Sequence, residues 1–270
     1  MLRIPTDRGD LWFKANAPEL RYEASVVSVL SGRRPDCVPP LLAVDLESGW
    51  MLMADAGERL REVSAREQSV DRWLDVLPLY AGLQLDLMAD ADELVARGAP
   101  DMRLRVLPDL YERLLDELGD ALPAAQRAQL ESATGRVEAL AEELAGFGIR
   151  ETIQHDDFHD GQVFVAGGGY RLLDWGDACV SHPFFTLAVT LGGFLSWGLD
   201  DVECSVEITP FRDAYLEPLR RGYGDRDLVR AATIALELGW VCRSVNAHFG
   251  GSDPEQTLPR LGMFLGERAD

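Results

Sequence analysis

HDDFHDGQ at residues 155–162, followed by LDWGD at residues 173–177, is the stretch that decides the fold. Between these two segments, Val163–Val165 and Arg171–Leu173 flank the turn sequence AGGG, a pattern that predicts a hairpin of two short strands. Aspartates therefore stand on both sides of the hairpin. Because a hairpin returns the chain to where it started, we expect their carboxylates to lie close together.

Three side chains of these segments have the chemistry that transfer of a phosphoryl group requires. One carboxylate must orient the attacking hydroxyl and accept its proton, while a second carboxylate and an amide hold the magnesium ion that bridges the phosphates. Asp157 and Gln162 would supply the base and one metal ligand, and Asp174 would add a second oxygen ligand of the kind that magnesium prefers. The alternative is a pair of turn aspartates that cap backbone groups.

The composition is that of a folded, acidic protein. The 270 residues are 47% hydrophobic and 27% charged, which is typical of a globular chain long enough for one large domain or two small lobes. The formal net charge of −20 repels nucleic acid and anionic membranes, so neither is expected as a partner. Such a charge would attract a cationic substrate, but a solvated acidic surface is the simpler explanation.

The N-terminus and the cysteines bear on the cellular location. The opening residues MLRIP lack the apolar run of a signal peptide, and no segment has the length of a membrane span. None of Cys37, Cys179, Cys204 and Cys242 belongs to a CxxC pair, so neither a zinc site nor a disulfide framework is indicated. We expect all four to be small core residues in a reducing cytoplasm.

The first part of the chain predicts a small unit of strands and one helix. Leu2–Pro5 and Leu11–Ala15 flank the turn signal DRGD, and Leu41–Asp45 and Trp50–Met53 flank a second turn signal, ESG. Between these two predicted hairpins, Glu19–Leu30 carries apolar residues at helical spacing.

After the ADAG turn at residues 54–57, helical patterns dominate. The predicted helices are Ser64–Ala91, Pro108–Leu118, Pro123–Leu144 and the buried apolar run Phe184–Trp197. The fold class is therefore α+β. An antiparallel sheet lobe at residues 1–56 precedes a larger helical lobe at residues 57–270.

The motifs resemble those of the aminoglycoside phosphotransferase and choline kinase family, whose fold is that of protein kinases. The catalytic loop of that family reads H-x-D-x-x-x-x-N, most often H-G-D-x-H-x-x-N, and His155, Asp157, His159 and Gln162 occupy its motif positions. The next family motif is I-D-W or I-D-F, and LDW matches it with Asp174. The resemblance implies that Asp157 is the catalytic aspartate, that Asp174 and Gln162 hold Mg²⁺, and that His155 braces the loop.

The resemblance extends to the N-terminal lobe, where the family pairs a strand lysine with a helix glutamate. The segment WFKA places Lys14 on a predicted strand, and Glu23 follows on the predicted helix. Such a lysine clamps the phosphates of the nucleotide, and the glutamate holds the lysine in place. By the same resemblance, Met53 and Asp55 at the hinge would meet the base of ATP or GTP through the backbone. The alternative for Lys14 is an exposed strand lysine.

Two departures from the family pattern bear on activity. Gln162 replaces the asparagine, and its oxygen reaches about an ångström further on a looser side chain. A first strand and a glycine-rich loop precede Leu2 in the family, whereas here the earliest glycine, Gly9, comes one hairpin too late. The missing strand predicts an exposed sheet edge that another segment or a second chain should cover, so monomer and homodimer both stay open.

Other polar residues receive structural interpretations. His182 stands where the family often has an acid, and Asp177 is predicted to cap a helix rather than to bind a second metal ion. The acidic cluster Asp200, Asp201 and Glu203 follows a predicted helix. In the family, acidic residues of the helical lobe can hold amines of the acceptor, but a solvated loop is the preferred interpretation here.

The leading hypothesis is a small-molecule kinase. It would move the γ-phosphate of ATP or GTP, with Mg²⁺, to a hydroxyl of a small acceptor such as an aminoglycoside or an amino-alcohol. Gln162 and the missing glycine-rich loop motivate an alternative, a catalytically impaired binding or regulatory protein of the same fold. A metal-dependent hydrolase that uses the same acids is a third option.

Overall fold

The computed structural model describes residues 1–250 and 254–266 and begins with an antiparallel sheet of four strands in the order β1-β2-β4-β3. The strands are β1 (Leu2–Thr6), β2 (Gly9–Ala15), β3 (Leu41–Asp45) and β4 (Trp50–Ala54). Both hairpins predicted for this part of the chain are therefore confirmed. The two hairpins are joined by the antiparallel pairing of β2 with β4, which places Lys14 of β2 opposite Met51 of β4.

Helix α1 (Tyr22–Arg33) packs against this sheet. Met51 and Met53 of β4 are buried and Leu52 between them is only partly buried, as expected when side chains alternate along a strand. Ala24, Val27 and Leu30 of α1 are buried in the same apolar core as the two methionines. The sheet thus has a buried inner face, which continues into the helical lobe.

The outer edge of the sheet is β1, and all five of its residues are exposed. Within the described residues no segment pairs with β1 on the side away from β2, so the cover expected for this edge is absent from that part of the chain. Arg3 Nε donates to Asp10 Oδ2 across the hairpin (2.6 Å), and Pro5 lacks a backbone N–H. A charged side chain and a proline both disfavour pairing with a further strand.

The second lobe is mainly helical. Its α-helices among the described residues are α2 (Leu60–Glu67), α3 (Trp73–Leu87), α4 (Ala91–Ala96), α5 (Leu107–Leu118), α6 (Ala124–Ser132), α7 (Thr134–Gly146), α8 (Thr209–Leu216), α9 (Asp225–Gly250) and α10 (Thr257–Phe264). Two small antiparallel sheets complete it. They are formed by β5 (Glu58–Arg59), β7 (Val163–Ala166) and β8 (Gly169–Leu172), and by β6 (Thr152–Gln154) with β9 (Cys179–Ser181).

Two predicted long helices are each two helices in the structure. The predicted helix Ser64–Ala91 is broken between α2 and α3, where Gln68 has a left-handed φ of 51° and ends α2. The predicted helix Pro123–Leu144 is broken at Ala133, between α6 and α7. Because both members of each pair bury apolar residues in one core, the apolar spacing continues through the break and does not locate it.

The apolar run Phe184–Trp197 contains a π-helix, Ala188–Leu195, rather than a regular α-helix. Of the four cysteines, three are buried as predicted, but Cys204 is exposed, which corrects the expectation of four core cysteines. Cys204 has a left-handed φ of 61° and lies in a loop that leaves the core after the π-helix. Within residues 1–250 and 254–266, no helix is both long and apolar enough to cross a membrane.

The two lobes meet tightly at Gly57, which has a φ of 103°. A Cβ placed on Gly57 would lie 2.2 Å from the carbonyl oxygen of Val165 in β7, so only glycine fits this approach. The residues that follow, Glu58–Arg59, pair with the same strand. The predicted hinge is thus attached directly to the hairpin of the helical lobe, and the division at residues 56 and 57 stays a prediction.

Candidate active site

The HDDFHDGQ segment forms the loop between β6 and β7, and buried hydrogen bonds hold its first residue. The backbone N–H of His155 donates to the Tyr80 hydroxyl (2.8 Å), and His155 Nε2 lies 2.7 Å from the Leu173 carbonyl oxygen. Burial lowers the pKa of His155, so the ring is neutral and Nε2 carries the proton that the carbonyl accepts. This bond joins the start of the β7–β8 hairpin to its end, which is why Asp157 and Asp174 come together.

Asp157 is held by three side chains. Arg243 Nη2 donates to Asp157 Oδ1 (2.5 Å), whereas Gln162 Nε2 and His159 Nε2 each lie 3.3 Å from Asp157 Oδ2. Both carboxylate oxygens therefore have a partner. The contact of the Gln162 amide with Asp157 is an addition to the role of metal ligand that the sequence predicts for Gln162. Arg243 comes from α9, a helix that contributed no candidate residue to the predicted site.

The charges around Asp157 decide its protonation. Burial pushes the pKa of Asp157 upward, but the bond from His159 and the guanidinium of Arg243 outweigh it and lower the pKa below its ordinary value. For His159, burial lowers the pKa, yet its contacts with Asp157 and Asp160 raise it to about 9. At neutral pH, a carboxylate thus faces an imidazolium and a guanidinium.

Two residues of α9 contact the HDDFHDGQ loop, and the sequence motifs did not predict either of them. Arg243 also donates to the Asp156 carbonyl oxygen through Nη1, and Asn246 Nδ2 donates to Asp156 Oδ2 (2.8 Å) and to the Asp177 carbonyl oxygen (2.7 Å). A signal was available in the sequence. Arg243 stands between Cys242 and Val245 on a strongly apolar helical stretch, and a charged residue in such a place requires a buried partner.

Lys14 connects the two lobes. Its Nζ lies 2.6 Å from Glu23 Oε1 and 2.7 Å from Asp174 Oδ1. Burial lowers the pKa of Lys14, but the negative charges of Glu23 and Asp174 outweigh it and raise the pKa, so the ammonium stays charged. The predicted pairing of Lys14 with Glu23 is present, and Asp174 joins it as a third member.

The oxygens of Gln162 and Asp174 fit a magnesium ion. Gln162 uses its Nε2 on Asp157, and Asp174 uses Oδ1 on Lys14, so within the described residues Gln162 Oε1 and Asp174 Oδ2 form no hydrogen bond. That part of the chain contains no group of three or more His, Cys, Asp and Glu side chains able to hold a metal. Mg²⁺ commonly takes one or two protein oxygens and completes its shell with water and substrate phosphates, which matches this donor set.

A separate cavity of about 280 Å³ lies at the hinge, lined by Trp12, Met53, Asp55, Phe164 and Leu173 among others. The carboxylate of Asp55 already accepts from the Gly57 N–H (2.8 Å) and from Trp12 Nε1 (2.9 Å). Arg59 and Glu62 also line this cavity, but most of the other lining residues are apolar. This lining suits a flat, aromatic group.

Four further residues received a structural interpretation from the sequence. His182 is buried, which lowers its pKa to about 3, and its Nδ1 accepts from the Phe184 N–H (3.3 Å), as its structural interpretation requires. Asp177 ends a 3₁₀ turn before strand β9, so it caps no helix. Instead, Asp177 lies in the cavity that also contains Asp157 and Asp174. Asp200 and Asp201 are exposed, and neither lines a cavity described above.

Comparison with known proteins places these features in a family. The family model described as the phosphotransferase enzyme family, APH, matches residues 9–233. No curated protein matches the chain in sequence.

Solved structures with the same fold include kinases of two kinds. A choline/ethanolamine kinase family protein from Mesorhizobium loti is 13% identical, with 96% of this chain and 82% of that chain covered at a TM-score of 0.62. The choline kinase LicA from Streptococcus pneumoniae is 14% identical, with 98% and 88% covered at 0.61. The GDP and kanamycin complex of APH(2″)-IIIa is 16% identical, with 95% and 86% covered at 0.60.

At these identities the likeness shows the two-lobed α+β fold that the sequence predicts, and nothing finer. The family match spans most of the chain and includes Lys14, the HDDFHDGQ loop and Asp174. The chain therefore belongs to the APH family of phosphotransferase enzymes.

Proposed function

We propose that this protein is a Mg²⁺-dependent small-molecule kinase, which transfers the γ-phosphoryl group of ATP or GTP to a hydroxyl of a small acceptor. One observation carries the proposal. Lys14, Asp157, Gln162 and Asp174, which come from both lobes, line a single cavity of about 330 Å³. Phosphoryl transfer asks little covalent chemistry of a protein and depends on placing such groups around the phosphates.

Each side chain has a role in the proposed reaction. The acceptor oxygen forms a bond to the γ-phosphorus while the bond from that phosphorus to the β–γ bridging oxygen breaks, and the nucleoside diphosphate leaves. Asp157 orients the hydroxyl and receives its proton, which then passes to solvent. Lys14 binds phosphate oxygens, and Asp174 and Gln162 are the residues that would hold Mg²⁺. When bound, that ion neutralises the charge of the phosphates.

The low pKa of Asp157 is compatible with this role. A weak base receives a proton late, after the bond to the leaving group has largely broken, and loose phosphoryl-transfer transition states need little proton removal beforehand. Asp157 would therefore act mainly by orienting the hydroxyl. The fixed hydrogen bonds to Arg243 and Gln162 suit that task better than a high basicity would.

The base of the nucleotide would occupy the hinge cavity beside Met53 and Asp55. A choline kinase and an enzyme solved with kanamycin are among the structures of the same fold, so amino-alcohols and aminoglycosides are the first acceptors to test. The net charge of −20 favours a cationic acceptor and disfavours nucleic acid and anionic membranes as partners. A monomer or homodimer in a reducing cytoplasm completes the proposal.

The direct test uses labelled ATP and GTP with Mg²⁺ and a panel of amino-alcohols and aminoglycosides. We expect phosphate to appear on at least one acceptor, with an Asp157→Asn variant slower by about 10³-fold. No transfer to any acceptor, with wild type and Asp157→Asn giving the same background, would contradict the proposal. Steady phosphate release without an acceptor would instead indicate a hydrolase.

The alternative of a catalytically impaired protein of the same fold has its own signature. Gln162 in place of asparagine and the missing glycine-rich loop motivated it, and of these two Gln162 does reach Asp157 in the structure. A thermal-shift measurement separates the two, because a ligand that binds only the folded state raises the melting temperature. A shift with nucleotide plus Mg²⁺ that exceeds the shift with nucleotide alone supports the kinase. No shift at millimolar nucleotide supports the impaired protein.

A further inference from the structure

Arg243 is a buried charged residue that the motifs of the family do not account for. It lies in the second half of α9 with only 7% of its surface exposed, beside Cys242 and Ser244, which are fully buried. A guanidinium in such surroundings is costly unless its N–H groups and its charge have partners. The partners that it has are both in the catalytic loop.

The two contacts of Arg243 are on successive residues of that loop. Nη1 donates to the carbonyl oxygen of Asp156, and Nη2 donates to the carboxylate of Asp157 (2.5 Å). One planar guanidinium thus fixes both the backbone that precedes the catalytic residue and the side chain itself. A lysine in the same place would have one nitrogen and could not make this fork.

The neighbouring turn of α9 holds Asp156. This residue is 2% exposed and has a left-handed φ of 62°, in the motif position where the family most often has glycine. Its carboxylate accepts from Asn246 Nδ2 (2.8 Å) and from Gln154 Nε2 (2.9 Å). Because left-handed φ is unfavourable for residues other than glycine, these buried bonds help to keep the loop in this conformation.

We propose that Arg243 is a positioning residue, which fixes the Asp157 carboxylate in the orientation that the acceptor hydroxyl requires, with Asn246 and Asp156 as its buried support. The inference rests on the proposed kinase function and deepens it. The contacts of Arg243 are with Asp156 and Asp157, and not with Asp174 or Gln162, the proposed metal ligands. It acts by fixing the position of Asp157, and its loss affects the chemical step more than the binding of nucleotide.

The kinetic test compares Arg243→Gln and Arg243→Ala with wild type. We expect kcat to fall by about 100-fold while KM for the nucleotide stays within about 3-fold, because misplacing a reacting group by about an ångström costs that much. Added guanidinium ion should restore part of the activity of Arg243→Ala. The matched control is Arg230→Gln, the same change on an exposed arginine of α9 that pairs with Glu143, and it should behave as wild type.

A second measurement does not depend on activity. In wild type labelled with ¹⁵N-arginine, the guanidinium signals of Arg243, assigned through the bonds from its backbone, should be protected from exchange. They should shift when Asp157 is replaced by asparagine. Unchanged Arg243 signals in Asp157→Asn would overturn the proposal even if the protein transferred no phosphate.

The outcomes separate the two proposals. A wild type that phosphorylates no acceptor overturns the kinase function, while the guanidinium signals still decide whether Arg243 positions Asp157. A folded Arg243→Gln variant with wild-type kcat overturns the positioning role. The positioning role is also overturned if added guanidinium does not restore the lost kcat and the Arg243 signals do not shift in Asp157→Asn. Arg243 would then have a packing role only.

Discussion

Lys14 and Arg243 approach the candidate site from opposite lobes, and the structure holds them in different ways. Lys14 lies on a strand of a sheet whose outer edge is exposed, and one of its two partners, Asp174, has a side chain that is 54% exposed. Arg243 lies inside the helical lobe, and its contacts are to the catalytic loop that the buried Asn246 also holds.

The site therefore has a fixed half, Arg243 with Asp157, and an exchangeable half, Lys14 with Asp174. An ion pair with an exposed carboxylate contributes little stability, so this pair can open and let Asp174 bind a metal ion and Lys14 bind a phosphate. A buried guanidinium has no such freedom, because removing its partner would leave an unpaired charge. We infer that Arg243 already holds Asp157 in place before the acceptor binds. Lys14 and Asp174 take their final partners only when nucleotide and metal bind.

The largest effect on stability is expected from replacing Lys14, because its partner Glu23 is buried. Lys14→Met leaves Glu23, which is 2% exposed, without its cation and should lower the free energy of unfolding by about 3 kcal/mol. It should also weaken nucleotide binding. Urea unfolding and nucleotide titration measure the two effects. The double variant Lys14→Met with Glu23→Leu should regain most of the stability but none of the nucleotide binding. A Lys14→Met variant as stable as wild type would contradict the dependence of Glu23 on Lys14.

The junction between the two halves is the next place to test. Gly57→Ala forces a Cβ against the carbonyl oxygen of Val165 at a φ of 103° and should cost about 2–3 kcal/mol of unfolding free energy. Thermal or urea unfolding provides the measurement. Gly135→Ala is the control, since a Cβ there meets no atom within 4 Å and the change sits in a helix. Equal stability of the two variants would show that the lobes are not joined tightly at Gly57.

Substitutions at Gln162 test whether this residue belongs to the proposed Mg²⁺ site. Gln162→Ala removes both the contact with Asp157 and one oxygen of the proposed metal site, so the Mg²⁺ concentration for half-maximal transfer should rise by about 10- to 100-fold. Gln162→Asn keeps the amide and should fall between this variant and wild type. Initial rates over a Mg²⁺ series provide the measurement. An unchanged Mg²⁺ requirement in Gln162→Ala would remove Gln162 from the proposed metal site.

The smallest effect concerns the pH dependence of stability. The pKa of His159 is raised to about 9 in the folded protein and lies near 6.5 in an unfolded chain. A raised pKa means that its stabilising contribution is complete below about pH 6.5 and is lost as the pH rises through about 9. Melting temperatures from pH 6 to 10 should therefore decline more steeply for wild type than for His159→Gln, and parallel curves would contradict the charged state of His159.

Prediction from sequence succeeded where the chemistry lies in short segments. Asp157, Gln162 and Asp174 surround one hairpin, so local turn signals and spacing were enough to bring them together. Lys14 and Glu23 are nine positions apart on a predicted strand and the following helix, and they do pair. The failures were helix boundaries, one cysteine, the predicted helix cap at Asp177, and the contacts of Arg243 and Asn246, which were missed. Ala133 and Gln68 end helices without a glycine or proline signal, and Cys204 follows a turn that leads out of the core.

The sequence alone therefore determined the family, the two-lobed fold and the acidic loop, because these depend on residue types at fixed local spacing. Tertiary structure alone decided that Arg243, 86 positions from Asp157, binds the Asp157 carboxylate, and that Lys14 reaches Asp174 across 160 positions. Such contacts exist only when α9 packs beneath the loop and the sheet closes over it. Local sequence propensity does not predict that packing, because the segments that bury a charged side chain and supply its partner are distant in sequence.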